Sequence, residues 1–529
     1  MTNPNARRRR AAVAVGAVLA GMLVPVMTAQ AGPPSCERRD NNQYRKLLEC
    51  VSGEGVQEHM QAFWAIADAN RVNGVPTRAD QTPGYDASVQ YVVDTMTAAG
   101  WSVEVVPFGY AGAATLQQLS PIQATYESEP FTGTDVGSVT GTVIPVDINL
   151  TPPRASTSGC ESSDFDPALF TGTTDIALIQ RGTCPFGQKA VNAEAAGAEA
   201  VIIFNQGNTP DREGPLTNVT LLPASAPITI PVVSASFAAG AALAQPGSTA
   251  LVAVEELISH NVIAEKAGLD PDNIVMAGAH LDSVPEGPGI NDNGSGSAAL
   301  LEIAENLSGH VPQNTLRFAW WGAEEVGLQG STAWVAQQSE DELDDIALYM
   351  NFDMVGSPNF IYMVYDADES SFEAPVPVPD GSIDIEDTFE TYFSTAGIPY
   401  DDTEFSGRSD YQAFIEADIP SSGLFTGAEE VKTPEQAAIW GGTAGAQFDP
   451  CYHLLCDDND NFSAHALDVN VDAIAFAVLT YAFSTQAVNG VAGVPVPGKF
   501  DLAPIAGPEG TFVANPAGGD DVEHAQSVS

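Results

Sequence analysis

Basic residues are scarce in this chain of 529 residues. Lysine and arginine together number 19, against 69 aspartate and glutamate residues, so the formal net charge is −50. A surface this acidic repels phosphate backbones and anionic lipids, so we expect neither a nucleic acid nor a membrane surface as partner. We interpret the acidity as a solubility and salt-tolerance feature, with attraction of cationic substrates as the alternative.

No stretch beyond the first 31 residues is predicted to be a transmembrane helix. Arg7 to Arg10 precede an apolar run from Ala11 to Met27, and Ala29-Gln30-Ala31 has the small residues of a signal-peptidase site. The run is shorter than the ~20 residues that span a membrane, and it contains no cysteine that could carry a lipid. Residues 1–31 are therefore predicted to be a secretory signal peptide, and we expect a secreted, monomeric protein.

Cysteines are few and form three local pairs along the chain. An even number of cysteines in an exported protein predicts disulfides. Proximity in sequence favours Cys36–Cys50, Cys160–Cys184 and Cys451–Cys456, although six cysteines allow 15 connectivities. A cysteine zinc site is the alternative, but none of the pairs has the usual C-x₂-C spacing.

Helices and buried strands alternate through most of the sequence. The periodicity predicts amphipathic helices at 56–70 and 85–99, and later helices at 294–307, 328–338 and 467–483. Apolar runs predict strands at 101–108, 261–264, 274–278, 315–321 and 346–352. This order predicts an α/β fold with a mixed, mainly parallel sheet that is flanked by helices.

The region 112–256 has a different composition, rich in Thr, Gly, Pro, Val and Ala. Strands predicted at 176–179 and 200–204 flank an alanine-rich helix at 187–197. We predict a β-rich domain inserted into the α/β domain. Residues after about 487 lack periodicity, which predicts a disordered or loosely packed tail.

Residues of the types that bind metals follow several of the predicted strands. Because the carboxyl ends of parallel strands meet at one sheet edge, these side chains are expected to converge there. Two imidazoles and three carboxylates suit a pair of zinc ions, and one further carboxylate can act as a general base. The candidates are His280, Asp292, Glu324, Glu325, Asp353 and His453.

The segments around these residues resemble one known family in their order along the chain. The segments are His280-Leu281-Asp282-Ser283, Gly289-Ile290-Asn291-Asp292-Asn293-Gly294-Ser295-Gly296, Gly322-Ala323-Glu324-Glu325, Asn351-Phe352-Asp353-Met354, Gly407-Arg408-Ser409-Asp410-Tyr411 and Cys451-Tyr452-His453. They are similar to the secreted di-zinc aminopeptidases of bacteria, in the zinc-dependent exopeptidase superfamily. The likeness covers about residues 260–485, and it implies the zinc exopeptidase, phosphorylase/hydrolase-like fold.

The resemblance implies a role for each matching residue. It implies that His280 and Asp353 bind one zinc, that Glu325 and His453 bind the other, and that Asp292 bridges them together with a hydroxide. Glu324 would be the general base, Tyr452 would donate a hydrogen bond to the oxyanion, and Asp282 would orient His280. In the family the peptide bond after Asp292 is cis. Arg408, Phe425 and the loop 441–445 match positions near the substrate, a peptide with a free N-terminus whose first residue is often large and apolar, such as Leu.

The inserted region has a resemblance of its own. Residues 159–207, including Ile179-Gln180-Arg181-Gly182-Thr183-Cys184-Pro185-Phe186, are similar to a protease-associated domain, which is thought to cover or shape access to an active site. The resulting division is a signal peptide at 1–31, a catalytic domain in two parts at 32–111 and 257–486, a protease-associated domain at 112–256 and a disordered tail at 487–529.

Each candidate also has a structural interpretation when it is taken alone. Asp292 could cap a helix, Glu324 and Glu325 could form a solvated turn, Arg408 could belong to a structural ion pair, and Phe425 could be core. Calcium could bind Asp457, Asp458 and Asp460, for which a solvated acidic loop is the favoured interpretation. For the whole chain, the alternatives are a glutaminyl cyclase and a non-catalytic binding protein of the same fold.

Overall fold

The computed structural model describes residue 36 and residues 39–171, 174–217, 219–221 and 224–498. The predicted signal peptide and residues 499–529 lie outside the described residues. Within them the helices are α1 (Tyr44–Leu48), α2 (Gly53–Ala69), α3 (Pro83–Ala98), α4 (Phe186–Ala196), α5 (Phe237–Leu243), α6 (Gly294–Asn306), α7 (Gln329–Gln337), α8 (Glu340–Asp344), α9 (Ser382–Ala396), α10 (Tyr411–Glu416), α11 (Pro434–Trp440), α12 (Ala464–Phe483) and α13 (Gln486–Asn489). Short 3₁₀ turns occupy Ser162–Asp164 and Pro210–Arg212.

The strands of the same residues form one continuous sheet. They are β1 (Ser102–Ser120), β2 (Ala124–Tyr126), β3 (Gly137–Val146), β4 (Asp175–Gln180), β5 (Ala200–Phe204), β6 (Val232–Ala235), β7 (Thr249–Lys266), β8 (Asp270–His280), β9 (Asn314–Trp321), β10 (Ile346–Phe352), β11 (Met363–Tyr365), β12 (Asp401–Thr403) and β13 (Ser421–Phe425). Their order is β12-β11-β13-β10-β8-β9-β7-β3-β4-β5-β6, with β1 along β7 and β2 along β1.

The centre of the α/β part is parallel, as the sequence predicts. Strand β8 pairs in parallel with both β9 and β10, and β10 pairs in parallel with β13. The antiparallel neighbours β7 and β11 border this group. The predicted mixed, mainly parallel sheet is therefore confirmed, and its four central parallel strands end at the same edge.

The inserted domain is joined to this sheet by a long two-stranded ribbon. Strands β1 and β7 pair antiparallel from Ser102 opposite Glu265 to Ser120 opposite Thr249, with a register shift between Ala111 and Ala114. Both boundaries of the predicted insertion, 111/112 and 256/257, thus fall within continuous strands and beside this shift. The parallel strands β3 to β6 then extend the sheet into the insertion.

Helix α12 is long and apolar enough to cross a membrane, by length and composition only. Most of it is buried inside the fold, where it packs against α2, α6 and α9. This is the environment of a core helix in a globular domain. Side chains such as Val471, Ile474 and Val478 are fully buried there.

The three predicted disulfides are the ones that the structure contains: Cys36–Cys50, Cys160–Cys184 and Cys451–Cys456. Disulfides of this kind persist in oxidising compartments, so the folded chain belongs outside the cytoplasm. The start of the predicted tail is ordered against the fold. Residues 486–489 form α13, and the backbone N–H of Val494 donates to the carbonyl of Phe483 at 3.1 Å.

Candidate metal centre

Ligand-type residues stand where the central strands end. His280 is the last residue of β8, Glu324 and Glu325 follow β9, and Asp353 follows β10. Asp292 lies just before α6, whose first turn is capped by the Asn293 side chain accepting from the N–H of Gly296 at 2.9 Å. Since these strands are parallel, their chain direction alone brings the side chains to one edge.

The first group of ligands surrounds His280, which is fully buried. Its Nε2 lies 3.3 Å from Asp292 Oδ1 and 3.3 Å from Asp353 Oδ1. Ser409 Oγ donates to the other oxygen of Asp353 at 2.6 Å and so fixes the orientation of that carboxylate. Ser409 belongs to one of the motifs noted in the sequence, but the sequence did not show this contact.

The second group surrounds His453, which is half-buried. Its Nε2 lies 3.2 Å from Asp292 Oδ2 and 3.0 Å from Glu325 Oε2. Asp292 therefore turns one carboxylate oxygen toward each histidine. His453 itself has φ of 58°, and Met354, which follows Asp353, has φ of 51°. Such left-handed backbone is strained for non-glycine residues and is common in functional sites.

Glu324 stands beside the first group. Its Oε2 lies 4.0 Å from His280 Nε2, farther than the oxygens of Asp292 and Asp353. Asp282 accepts from the N–H of Glu324 at 3.1 Å and from that of Glu325 at 3.3 Å. Its carboxylate is 3.7 Å from His280 Nδ1, whose shorter contact, 3.2 Å, is to the backbone carbonyl of Asp282. Asp282 thus holds the turn of the two glutamates as well as the histidine.

The donor set fits two zinc ions. Ligands bound tetrahedrally at about 2.0–2.1 Å from zinc lie about 3.3 Å from one another, and the histidine–carboxylate distances of both groups are 3.0–3.3 Å. One N–H of His280 cannot point at two carboxylates, whereas a ring-nitrogen lone pair and both carboxylates can share a cation. Neither Asp292 Oδ2 nor Glu325 Oε1 has a hydrogen-bond partner among the described residues, which a cation would supply. The peptide bond between Asp292 and Asn293 is cis, as the resemblance implies.

The raised pKa values of two buried carboxyl groups also indicate a site for cations. Burial raises the pKa of Glu325 to about 7, with repulsion from Asp292 adding to the effect. Burial likewise raises the pKa of Glu324 well above its ordinary value. Positive charge in this space therefore favours the ionised forms of Glu324 and Glu325.

Of the residues matched to the substrate side, Arg408 contacts Tyr452, which precedes His453, whereas Phe425 packs against the core. Arg408 donates to Glu429 Oε1 at 2.9 Å through Nη1 and to the Tyr452 hydroxyl at 3.2 Å through Nη2. Phe425 ends β13, half-buried, with its ring against the core. Burial raises the pKa of Tyr452, so its phenol keeps a proton that it can donate.

The loop 441–445 is held by one buried amide. The Asn359 side chain donates to the carbonyls of Thr443 and Gln447 and accepts from the N–H of Thr443 at 2.9 Å. Gly442 has φ of 79°, and a methyl group on it would lie 2.2 Å from Asn359 Oδ1. Only glycine fits this close approach.

Asp457 corrects an expectation from the sequence. A solvated acidic loop was the favoured interpretation for Asp457, Asp458 and Asp460, and it is wrong for Asp457, which is buried. Its carboxylate accepts from the N–H of Asn291 at 2.8 Å and from that of Asp292 at 3.0 Å, and Asn461 Nδ2 donates to it at 3.0 Å. The loop that carries His453 is thereby tied to the segment that carries Asp292. No sequence signal separated Asp457 from its exposed neighbour Asp460.

Arg78 is a second residue that the sequence did not reveal. It is fully buried, and its guanidinium donates to the carbonyls of Pro288 at 2.9 Å and Gly289 at 2.5 Å and to that of Leu281. Burial lowers its pKa to about 10, so it stays charged, and the carboxylates of Asp282 and Asp457 support that charge. Arg78 therefore holds the loop between His280 and Asp292 in place through hydrogen bonds to three of its carbonyls.

Comparisons with known proteins show the family of the chain. Residues 261–478 match peptidase family M28, and residues 139–243 match the PA domain. An aminopeptidase of Pseudomonas aeruginosa is 47% identical over 84% of this chain and 83% of its own length. The chain belongs to peptidase family M28. As an M28 peptidase it is a hydrolase, and its PA domain is inserted within the M28 domain.

Two further relatives of this M28 peptidase cover most of its length. A probable lipoprotein aminopeptidase of Mycobacterium tuberculosis is 43% identical over 85% of this chain and 88% of its own. Among solved structures, the aminopeptidase from Aneurinibacillus sp. strain AM-1 is 28% identical, with a TM-score of 0.50, over 88% of this chain and 100% of the other.

Proposed function

We propose that this M28 peptidase is a secreted metallo-aminopeptidase that hydrolyses the N-terminal peptide bond of peptides with two zinc ions per subunit. The observation that carries the proposal is the shared carboxylate of Asp292, with one oxygen 3.3 Å from His280 Nε2 and the other 3.2 Å from His453 Nε2. Asp353 would complete one zinc site, and Glu325 would complete the other.

The chemistry divides between the ions and the residues around them. Bound zinc lowers the pKa of a water molecule to near 7 and polarises the scissile carbonyl. Glu324 Oε2 lies 4.0 Å from His280 Nε2, farther than the oxygens of Asp292 and Asp353, so we assign it the role of accepting the proton of the attacking water and passing it to the leaving amine. Its position depends on Asp282, which accepts from the backbone N–H of Glu324.

Tyr452 would act on the opposite side of the carbonyl. Its hydroxyl is protonated because burial raises its pKa, and it donates to the oxyanion that forms when water adds. The stacking of its ring on His453, with centroids 3.8 Å apart, fixes the hydroxyl relative to the second zinc site.

The substrate amine would be held by the excess of carboxylates at this edge, which favours a positively charged group. The first side chain would lie toward Phe425 and the loop 441–445. The inserted domain comes close to the turn that follows the two glutamates: a methyl group on Gly327, two residues after Glu325, would lie 3.9 Å from the side chain of Thr132.

Hydrolysis of a leucyl chromogenic amide and of its N-acetylated twin tests the proposal. We expect cleavage of the free-amine substrate only, loss of cleavage with a chelator, recovery with zinc, and two zinc ions per chain by elemental analysis. Equal cleavage of both amides would contradict the amino-end specificity. Cyclisation of an N-terminal glutamine with one bound zinc would establish a glutaminyl cyclase instead, and ligand binding without turnover would establish a binding protein.

A further inference from the structure

Arg408 connects an acidic residue outside the metal centre to the Tyr452 hydroxyl. Its side chain is 54% exposed and that of Glu429 is 40% exposed. An exposed arginine has many rotamers, and holding it in one costs conformational entropy unless a partner fixes the guanidinium. Glu429, 2.9 Å from Nη1, is the partner that leaves Nη2 directed at Tyr452.

We infer that Glu429 is a positioning residue of the reaction, which holds Arg408 against Tyr452 and thereby directs the Tyr452 O–H toward the substrate carbonyl. The inference rests on the proposed function, in which Tyr452 donates to the oxyanion. When Nη2 donates to the phenol oxygen, that oxygen acts as the acceptor, and its own proton is left for another partner. A charged donor on the oxygen also polarises the O–H and strengthens the hydrogen bond that it gives.

The backbone fixes Glu429 relative to Tyr452. The N–H of Phe448 donates to the carbonyl of Glu430 at 2.9 Å, and the N–H of Lys432 donates to that of Ala446 at 2.9 Å. The segment that carries Glu429 is thereby paired with the segment that leads into Cys451 and Tyr452. The two ends of the Glu429–Arg408–Tyr452 contact are thus held before a substrate arrives, which is the condition for electrostatic preorganisation.

The neighbouring glutamate does not serve the same purpose. Glu430 Oε1 is 3.9 Å from Arg408 Nη1, and its Oε2 accepts from the N–H of Ala428 at 3.3 Å. Glu429 Oε2, by contrast, is buried and has no hydrogen-bond partner among the described residues. A buried carboxylate oxygen without a donor lowers stability, so the hydrogen bond of Glu429 Oε1 with Arg408 is the favourable contact that this carboxylate makes.

Double-mutant cycles on the leucyl amide test the inference. We expect Glu429→Ala to lower kcat about tenfold with KM within about twofold, because the contact acts on the transition state; losing an oxyanion donor itself typically costs roughly 10²–10³-fold. Glu429→Gln, which keeps an oxygen acceptor for Nη1, should recover most of kcat. In the Arg408→Ala and Tyr452→Phe backgrounds, Glu429→Ala should have no further effect.

A second readout separates positioning from general damage. Calorimetry with a leucine phosphonate, which mimics the tetrahedral intermediate, should show about tenfold weaker binding to Glu429→Ala, while leucine itself binds unchanged. Glu435→Gln removes an exposed carboxylate of α11 and should leave both ligands and kcat within twofold. Equal losses from Glu429→Ala in all backgrounds, or the same loss from Glu435→Gln, would overturn the inference. If the wild-type chain does not hydrolyse the free-amine substrate, the proposed function fails together with the inference. The wild-type assay shows this directly.

Discussion

Two unpaired carboxylate oxygens at the edge of the sheet that carries the candidate metal centre contrast with two paired, buried side chains of the inserted domain. In the inserted domain, buried Gln180 donates to the carbonyls of Asn149 and Gln206, and buried Lys189 donates to the carbonyl of Ser158. At the metal centre, Asp292 Oδ2 and Glu325 Oε1 are buried and have no hydrogen-bond partner within the part of the chain that the structure describes.

The difference separates structural from functional burial. A buried polar group that is fully paired adds specificity to a fold, whereas an unpaired one costs about 1–3 kcal/mol. The M28 domain tolerates that cost because a ligand, here zinc, supplies the missing partner when it binds. Changes at the metal centre should therefore lower mainly activity, whereas changes in the inserted domain should lower mainly stability.

The largest effect is expected from Glu324→Gln. Removing the general base should lower kcat by roughly 10²–10⁴-fold, while zinc content and thermal unfolding remain those of the parent, since Glu324 is not assigned as a ligand. Steady-state kinetics and elemental analysis measure both quantities. Loss of zinc from this variant would mean that Glu324 is a ligand and not the base.

Asp457→Ala should lower both the stability of the fold and the affinity for zinc. The change leaves the N–H groups of Asn291 and Asp292 and the Asn461 amide without their acceptor, so we expect a loss of about 3 kcal/mol in the free energy of unfolding together with weaker zinc binding. Denaturant unfolding and metal titration measure these changes. Asp460→Ala, at an exposed position in the same loop, is the control and should be close to neutral; equal effects of the two variants would remove Asp457 from the site.

Two of the three disulfides offer a matched pair of changes. Replacing Cys160 and Cys184 by serine opens a loop of 24 residues and should cost about 3 kcal/mol, with kcat/KM for a short substrate within twofold. Replacing Cys451 and Cys456 opens a separation of only 5 residues and should cost about 2 kcal/mol, yet kcat/KM should fall more than tenfold because Tyr452 and His453 lie between these cysteines. A reversed pattern, with activity lost in the first variant, would show that the inserted domain takes part in the chemistry.

The smallest effect concerns Glu302 of α6. Burial raises the pKa of Glu302 from 4.5 to about 7, so the folded state binds this proton more tightly than the unfolded state. Stability should therefore fall as the pH rises from about 4.5 through 7, with an upper limit of about 3 kcal/mol. Glu302→Gln should flatten this slope in the metal-free protein and raise its stability at pH 8 by about 1 kcal/mol, because the N–H of Ser52 can still donate to the amide oxygen.

Thermal unfolding at a series of pH values, compared with the parent, measures that slope. Glu54→Gln, on the exposed face of α2, serves as the control and should leave the slope as it is. A parent whose stability rises between pH 5 and 7 by the same amount as that of Glu302→Gln would show that Glu302 is not the group responsible.

Local pattern predicts much of the fold. The helices expected at 56–70 and 294–307 are Gly53–Ala69 and Gly294–Asn306, and the strand expected at 346–352 is Ile346–Phe352. Hydrophobic periodicity and capping residues act within a few turns, so one chain suffices to recognise them. The strand expected at 101–108 extends to Ser120, since its second half gains its stability from pairing with distant residues of β7, from Ala111 opposite Glu256 to Ser120 opposite Thr249.

The candidate site likewise contains features that local pattern predicts and contacts that it does not predict. His280, Glu324, Glu325 and Asp353 follow strands in the sequence, so their convergence at one edge could be predicted from strand direction alone. The contacts of Asp457 with Asn291 and Asp292 bridge more than 160 residues, and nothing near Asp457 in the sequence distinguishes it from Asp460.

The sequence by itself predicted candidate metal ligands, the three disulfides, and the α/β order that carries strand-end ligands to one edge, because each depends on residue type and short spacing. Only the tertiary structure decided that the two oxygens of Asp292 face different histidines, that Arg78 and Asp457 are buried behind them, and that Glu429 reaches Tyr452 through Arg408. Those contacts join segments that are distant in the chain, and their geometry follows from how the strands, loops and helices pack together.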